Sequence, residues 1–250
     1  MSMSIDVNCD LGEGMPHDAA IIPFISSANI ACGYHAGDHD TMRSTIELCL
    51  KHQVAVGAHP GFDDKRNFGR TSVQLDSSAL YDLVFKQLDD IDKICKEIGA
   101  LLHHFKPHGA MYNMAAKDPD MSNVLAKAVF DFNPKLIYYG LSGSCMISEA
   151  MKVGLQTAHE VFADRTYQPN GSLTPRTMEG AFIQNENELL RQVLQMIRHH
   201  QVEAIDNTLL SIQAETICIH SDGEHALQFS RAIHHRLKQE KISIQAIQAK

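Results

Sequence analysis

A chain of 250 residues with a formal net charge of -8 and its basic residues scattered offers no clustered positive face for a phosphate backbone, so nucleic acid is excluded as a partner. The opening "MSMSIDVNCD" lacks a basic segment followed by an apolar core, and no apolar run approaches the roughly 18 residues of a membrane span, so a cytoplasmic protein without a membrane partner is expected. Six widely spaced cysteines with no C-x-x-C argue against a zinc knuckle, a redox pair or a disulfide scaffold.

Short β-branched runs alternate with longer stretches of helical periodicity, the pattern of βα units around parallel strands. In chain order the predicted strands cover 4–10, 27–32, 54–59, 101–106, 135–140, 156–162 and 215–220, seven in all. Amphipathic helices are predicted over 40–53, 79–99, 121–132, 145–154, 186–201 and 225–240. Asp40, Ser78 and Asp120 stand as helix starters, and Gly99 and Gly154 as helix ends. An eighth run, "ISIQAI" at 242–247, is either a tail strand or a disordered end. The length suits one α/β barrel spanning residues 1–250 as a single domain. Two connections, 60–78 and 163–182, exceed ordinary turns and are placed over a pocket as binding loops.

Nearly every predicted strand ends in ionisable groups. The first runs into Asn8, Asp10 and Glu13, the second into His35 and Asp38, the third into His59. The fourth ends in Lys106 and His108, the sixth in Glu160, Asp164 and Arg165, and the seventh in His220 and Asp222. In a parallel barrel all strand C-termini open on one face, the face that carries active sites, so these groups are expected to converge. A lone Asp after a strand would read as a helix cap; two carboxylates in "NCDLGEG" exceed what a cap needs. Arg70 sits in the first long loop, where its planar fork suits a carboxylate or phosphate. His103 and His104, and the pairs His199/His200 and His234/His235, are assigned no chemistry.

Asp10, His35 and His59 are ligand types for a divalent ion, although no tight local spacing such as H-x-x-x-H supports one, and the metal is left unknown. The phosphate loop, the dinucleotide fingerprint and the nucleophile elbow are all missing from the sequence.

The blocks "NCDLGEG", "SANIACGYHAGD", "GAHPGF", "FGR", "KPHGAMYN", "EVFADRTY", "LTPR" and "ICIHSD", in order from residue 8 to 222, resemble the LamB/YcsF family. The resemblance implies a seven-stranded parallel (β/α) barrel, TIM-like, of the glycoside hydrolase/deacetylase type. It also implies the A-type subunit of an ATP-dependent 5-oxoprolinase, with 5-oxo-L-proline as substrate, ATP as co-substrate and subunits B and C as partners. Within that activity Asp10, His59, Lys106 and His108 are the expected catalytic groups. Asn8, Glu13, His35, Asp38, Arg70, Glu160, Asp164, Arg165, His220 and Asp222 are expected to bind substrate. Two readings stay open beside it: a metal-dependent deacetylase or amidohydrolase on a small sugar or lactam, and a non-catalytic subunit that presents a substrate.

Overall fold

The computed structural model describes residues 3–249. In chain order the elements are β1 (Ser4–Leu11), α1 (Asp18–Ile21), β2 (Ser27–Ala31), α2 (His39–His52), β3 (Ala55–His59), α3 (Ser77–Glu97) and β4 (Leu102–Phe105). They continue with α4 (Gly109–Ala115), α5 (Pro119–Phe132), β5 (Ile137–Leu141), α6 (Cys145–Val153), β6 (Thr157–Phe162) and α7 (Glu186–His199). The chain ends with β7 (Gln201–Glu203), β8 (Leu209–Ser211), β9 (Thr216–His220), α8 (Ala226–Gln239) and β10 (Ser243–Ile244). Strands β1 to β6 and β9 lie side by side in parallel, and β9 pairs with both β6 and β1, which closes the expected seven-stranded barrel.

Period-two alternation decides what fills the barrel. In β1 the apolar Ile5, Val7, Cys9 and Leu11 join the core under the helices, leaving Asp6, Asn8 and Asp10 to the interior. Strands β2, β4, β6 and β9 add Asn29, His104, Glu160 and Thr216, all buried. Strand register sets Asp10 opposite Asn29 on one side and His220 on the other. The interior is therefore a hydrogen-bonded polar stack and not a column of aliphatic side chains. At its base Asp6 accepts from Ser26 (2.6 Å), Ser27 (2.7 Å), Thr216 (2.5 Å) and Tyr139 (3.1 Å). Above it, Asn8 donates to Thr216 (2.7 Å) and Glu160 (3.0 Å), and Asn29 donates to Asn8 (2.7 Å) and Asp10 (2.8 Å). These bonds offset the cost of burying polar groups, which is severe when a partner is missing.

Three helix caps stand two residues before the predicted starters. Asp38, Asp76 and Asp118 are the N-caps of α2, α3 and α5, and each carboxylate accepts a backbone N–H from the first turn. Asp40, Ser78 and Asp120 are the polar residues nearest the apolar periodicity, which is why the sequence points to them. The cap instead needs a side chain placed to reach the N–H groups two or three residues on.

Three further features depart from expectation or go beyond it. The hairpin β7–β8 is antiparallel and lies outside the barrel, and α4 is an extra short helix after β4. The tail run is ordered: β10 pairs in parallel with the start of β1, and Ile247 packs against Ile137, Tyr139 and Ala158.

Close packing of the polar stack depends on Gly57, where an added Cβ would lie 2.0 Å from His104 Nε2. That ring is stacked on Tyr139 at 4.3 Å and bonded to Asn29 at 2.8 Å, so it has nowhere to move. Gly57→Ala is expected to destabilise the fold by about 1–3 kcal/mol, as overpacking does. An unchanged denaturation midpoint would refute this account of the interior.

Candidate functional site

Above the polar stack, where the strands end, a cavity of about 520 Å³ opens. Asp10, Glu13, His59, Arg70, Lys106, His108, Arg165, His220 and Asp222 line it, bringing together nine of the residues singled out in the sequence. Both long connections contribute to its walls, through Arg70 and Ser72 from one and Leu173, Pro175 and Arg176 from the other.

Lys106 is the centre of the floor. Its ammonium is buried and lies 2.8 Å from Asp10 Oδ1 and 2.8 Å from Glu160 Oε1, with Asn8 Oδ1 at 3.3 Å and Cys218 Sγ at 3.1 Å. Burial alone would lower its proton affinity, but Asp10, Cys218 and Glu160 outweigh burial and raise it, so the group is a fixed cation. Asp10 shows the converse. Burial would raise its carboxyl, yet His59 and Lys106 hold it well below the usual carboxylate range.

Beside this pair stands a cluster of imidazoles. His59 donates from Nδ1 to the Lys106 carbonyl (2.8 Å), and His108 donates from Nε2 to the Phe68 carbonyl (2.9 Å). Their remaining ring nitrogens face each other at 2.9 Å. Glu13 Oε1 lies 3.2 Å from both His35 Nε2 and His108 Nδ1. His35 stacks on His108 with ring centroids 3.7 Å apart, behind the cavity wall. Gly61 and Gly69 make that stack possible, because a Cβ at either would come within 2.7 Å of His35, and Gly69 also needs φ +63°. Burial pushes His35 down to about 3 and lowers His108.

On the opposite wall Asp164 accepts from His220 Nδ1 at 3.0 Å and from its backbone N–H at 3.2 Å. This fixes the imidazole tautomer and turns Nε2 away from the carboxylate. Burial would raise Asp164, but the His220 charge and hydrogen bonds lower it. At the rim Arg70 and Arg176, one from each long loop, both bind the Asp222 carboxylate.

Several expected roles change. Asp38 does not reach the cavity: it is exposed, and it caps α2 by accepting from the Thr41 N–H and hydroxyl, both at 2.8 Å. Arg165 touches the cavity wall, but its guanidinium donates to the carbonyls of Ala181 and Thr174 and so holds the second long loop closed. Asn8 and Glu160 lie one layer below the cavity as partners of Lys106. The expected ligand trio Asp10, His35 and His59 does not form one group. The ligand atoms that cluster within 4.8 Å belong to Glu13, His35, His59 and His108, and separately to Asp10, Cys218 and His220.

Sequence reasoning missed Arg176, Tyr112, Phe162 and Cys218, which line or underlie the cavity. Arg176 and Tyr112 lie in two of the singled-out blocks, "LTPR" and "KPHGAMYN", and that membership is the signal for them. His104, given no chemistry on sequence grounds, alternates along its strand with Lys106 and so stands in the polar interior.

The LamB/YcsF family model matches residues 5–250. The chain is 48% identical to the A-type subunit of 5-oxoprolinase from Oceanobacillus iheyensis, over 98% of this chain and 97% of that protein. Its fold superimposes on the crystal structure of the lactam utilization protein from Thermus thermophilus with a TM-score of 0.91 and 37% identity, covering 98% of this chain and 100% of that one. The family 4 carbohydrate esterase from Streptomyces lividans, at TM-score 0.50 and 11% identity over 98% of this chain and 93% of that one, shares the fold alone. Among the described residues no helix is long and apolar enough to cross a membrane.

The floor and the imidazole cluster each lead to a measurable outcome. Lys106→Met leaves two buried carboxylates without their cation and should cost about 3–5 kcal/mol, whereas adding Glu160→Gln should recover part of the loss. Denaturant titration of the three proteins decides this, and an unchanged midpoint in the single variant would contradict it. The second outcome concerns pH. His35 and His104 stay neutral when buried but take protons when unfolded, so the stability they confer is complete above the ordinary histidine value of about 6.5 and is lost as pH falls below it. Asp10 and Asp164, held low in the fold, add a further loss as pH falls through and below the ordinary carboxylate range of about 4. A denaturation midpoint that stays flat from neutral pH down to about 4 would contradict the histidine part.

Proposed function

The chain belongs to the LamB/YcsF family, and from that premise we propose that it acts on 5-oxo-L-proline, opening the lactam to L-glutamate in a reaction coupled to ATP and shared with partner subunits B and C. The observation that carries the proposal is that the Asp10–Lys106 pair, with Glu160 beneath it, and two rim arginines meet at a single cavity. The names of its relatives, a 5-oxoprolinase subunit and a lactam utilization protein, point to the same substrate class.

A lactam is a poor electrophile, and moving the γ-phosphoryl group of ATP to the lactam oxygen releases ADP and makes the ring carbon reactive. One water then adds at that carbon, the C–N bond breaks, and the ring nitrogen leaves as the amine after taking a proton. A second water releases phosphate from the resulting acyl phosphate, and L-glutamate is complete. The chain supplies groups for the ring-opening part. Asp10, whose Oδ2 faces His59 Nε2 at 3.4 Å, takes the proton of the attacking water beside His59. Lys106 provides positive charge for the developing oxyanion, with His108 lining the same cavity. His220, held by Asp164, is placed to protonate the departing nitrogen. Arg70 and Arg176 exchange part of their bond to Asp222 for the free carboxylate of the substrate.

ATP is assigned wholly or partly to the partner subunits, because none of the common nucleotide loops occurs in this sequence. A cytoplasmic setting fits the six free thiols, five of them buried. The histidine cluster favours one second reading, a metal-dependent deacetylase or amidohydrolase acting on a small sugar or lactam without ATP.

Glutamate release by the reconstituted subunits with 5-oxoproline and ATP tests the assignment. Asp10→Asn should lower kcat by about 10²-fold or more, and Arg176→Met should raise KM with a smaller effect on kcat. Near-normal rates for Asp10→Asn would remove it from catalysis, and turnover by the isolated chain without ATP would replace the coupled reading with the second one.

A further inference from the structure

We propose that Glu13, His59 and His108 form a binding site for one divalent transition-metal ion, zinc being the best match to the donors, with His35 holding Glu13 in position. Donor geometry carries this site independently of the lactam reading.

Two backbone carbonyls settle which ring nitrogens are free. The Lys106 carbonyl takes the Nδ1 proton of His59 at 2.8 Å, and the Phe68 carbonyl takes the Nε2 proton of His108 at 2.9 Å. In the neutral rings the other nitrogens, His59 Nε2 and His108 Nδ1, carry lone pairs, and these face each other at 2.9 Å. A carboxylate oxygen joins them: Glu13 Oε1 is 3.2 Å from His108 Nδ1 and 3.8 Å from His59 Nε2. Three acceptor atoms pointed at one gap repel each other unless a cation fills it.

The spacing suits such a cation. Zinc held tetrahedrally at about 2.0–2.1 Å from each ligand sets its ligands about 3.3 Å apart, and the edges of 2.9, 3.2 and 3.8 Å bracket that value. Donation of the second ring nitrogen to a backbone carbonyl is also the usual way in which metal-binding histidines are oriented.

His35 belongs to the cluster but is not a ligand. Its ring lies parallel to that of His108, with an interplanar angle of 3° and centroids 3.7 Å apart, so the in-plane lone pairs of the two rings cannot converge on one ion. It instead donates from Nε2 to Glu13 Oε1 at 3.2 Å, which leaves its Nδ1 without a hydrogen-bond partner among the described residues. Glu13, His59 and His108 line the cavity while His35 does not, so a three-ligand site would keep its fourth position open to the cavity. An ion held there would supply Lewis acidity, and with His59 serving as a ligand Asp10 would remain the nearby base.

The other group of ligand types, Asp10, Cys218 and His220, is a poor rival. Asp10 and Cys218 already contact the Lys106 ammonium at 2.8 and 3.1 Å, and that fixed positive charge opposes a second cation.

The test is direct binding of zinc alone. Chain stripped with a chelator is titrated with Zn²⁺ by calorimetry, its metal content is measured after gel filtration, and its melting temperature is compared with and without the ion. One equivalent per chain and a higher melting temperature are expected. His108→Asn should abolish stoichiometric uptake, and His35→Asn should weaken binding about 10–100-fold, with circular dichroism confirming that both variants fold. A variant lacking the exposed His199 and His200 should bind as the parent does. Substoichiometric uptake by the parent, or stoichiometric uptake surviving His108→Asn, would overturn the proposal; in the first case a shared proton bridges the two imidazoles.

Discussion

The structure turns on a buried ammonium. Lys106 lies near the barrel axis with Asp10 and Glu160 each at 2.8 Å, and three charges out of water are tolerable only because they are paired and further hydrogen-bonded. Asn8 and Asn29 complete the arrangement: Asn8 bonds Glu160 and accepts from Lys106 and Asn29, and Asn29 bonds Asp10. That requirement propagates downward. Each layer of the interior must satisfy the one above it, which is why Thr216, Asp6, Ser26 and Ser27 follow below. A barrel core usually rests on branched aliphatic side chains. Here much of the aliphatic packing lies outside the strands, under the helices.

The same constraint shapes the cavity. With the floor held as a fixed ion group, the histidines pack beside it against backbone, and glycine is required where they do. Gly61 and Gly69 bring the first long loop against His35, which packs Phe68 on the His35 and His108 rings and carries Arg70 to the cavity. The second loop is held independently by the Arg165 guanidinium and its bonds to two carbonyls. Asp222, just past β9, links the two loops through Arg70 and Arg176. An anion entering the rim meets cations whose present partner is one carboxylate, so loop position and ligand binding are coupled through that contact.

Residues next to one another in sequence divide sharply by role in this arrangement. Asp38 and His35 stand three positions apart, but one caps a helix in solvent and the other is sealed behind the cavity wall. Asp164 and Arg165 are adjacent, yet the first orients His220 and the second fastens a loop. Residue type and strand-end position alone could not separate these pairs, since both members of each satisfy the same sequence criterion. Arg176 escapes sequence reasoning for the opposite reason: it lies in a loop whose path no periodicity describes, and only the closure of that loop brings it to Asp222.

Local chemistry in the sequence by itself determined the alternation of strand and helix, the number of barrel strands and the strand ends at which the polar groups gather, because periodicity and strand direction are properties of consecutive residues; closure of the barrel rests on the pairing of β9 with β1 and β6. The polar filling of the barrel is also written there, in the alternation of Asp6, Asn8 and Asp10 with Val7 and Cys9. Tertiary structure alone decided the partners: Lys106 with Glu160, His59 with His108, Asp164 with His220, and Arg70 with Arg176 across Asp222. These pairs join segments 46 to 152 residues apart where the rim and wall bonds are concerned, and such pairing depends on inter-strand register and loop closure, which no local pattern encodes.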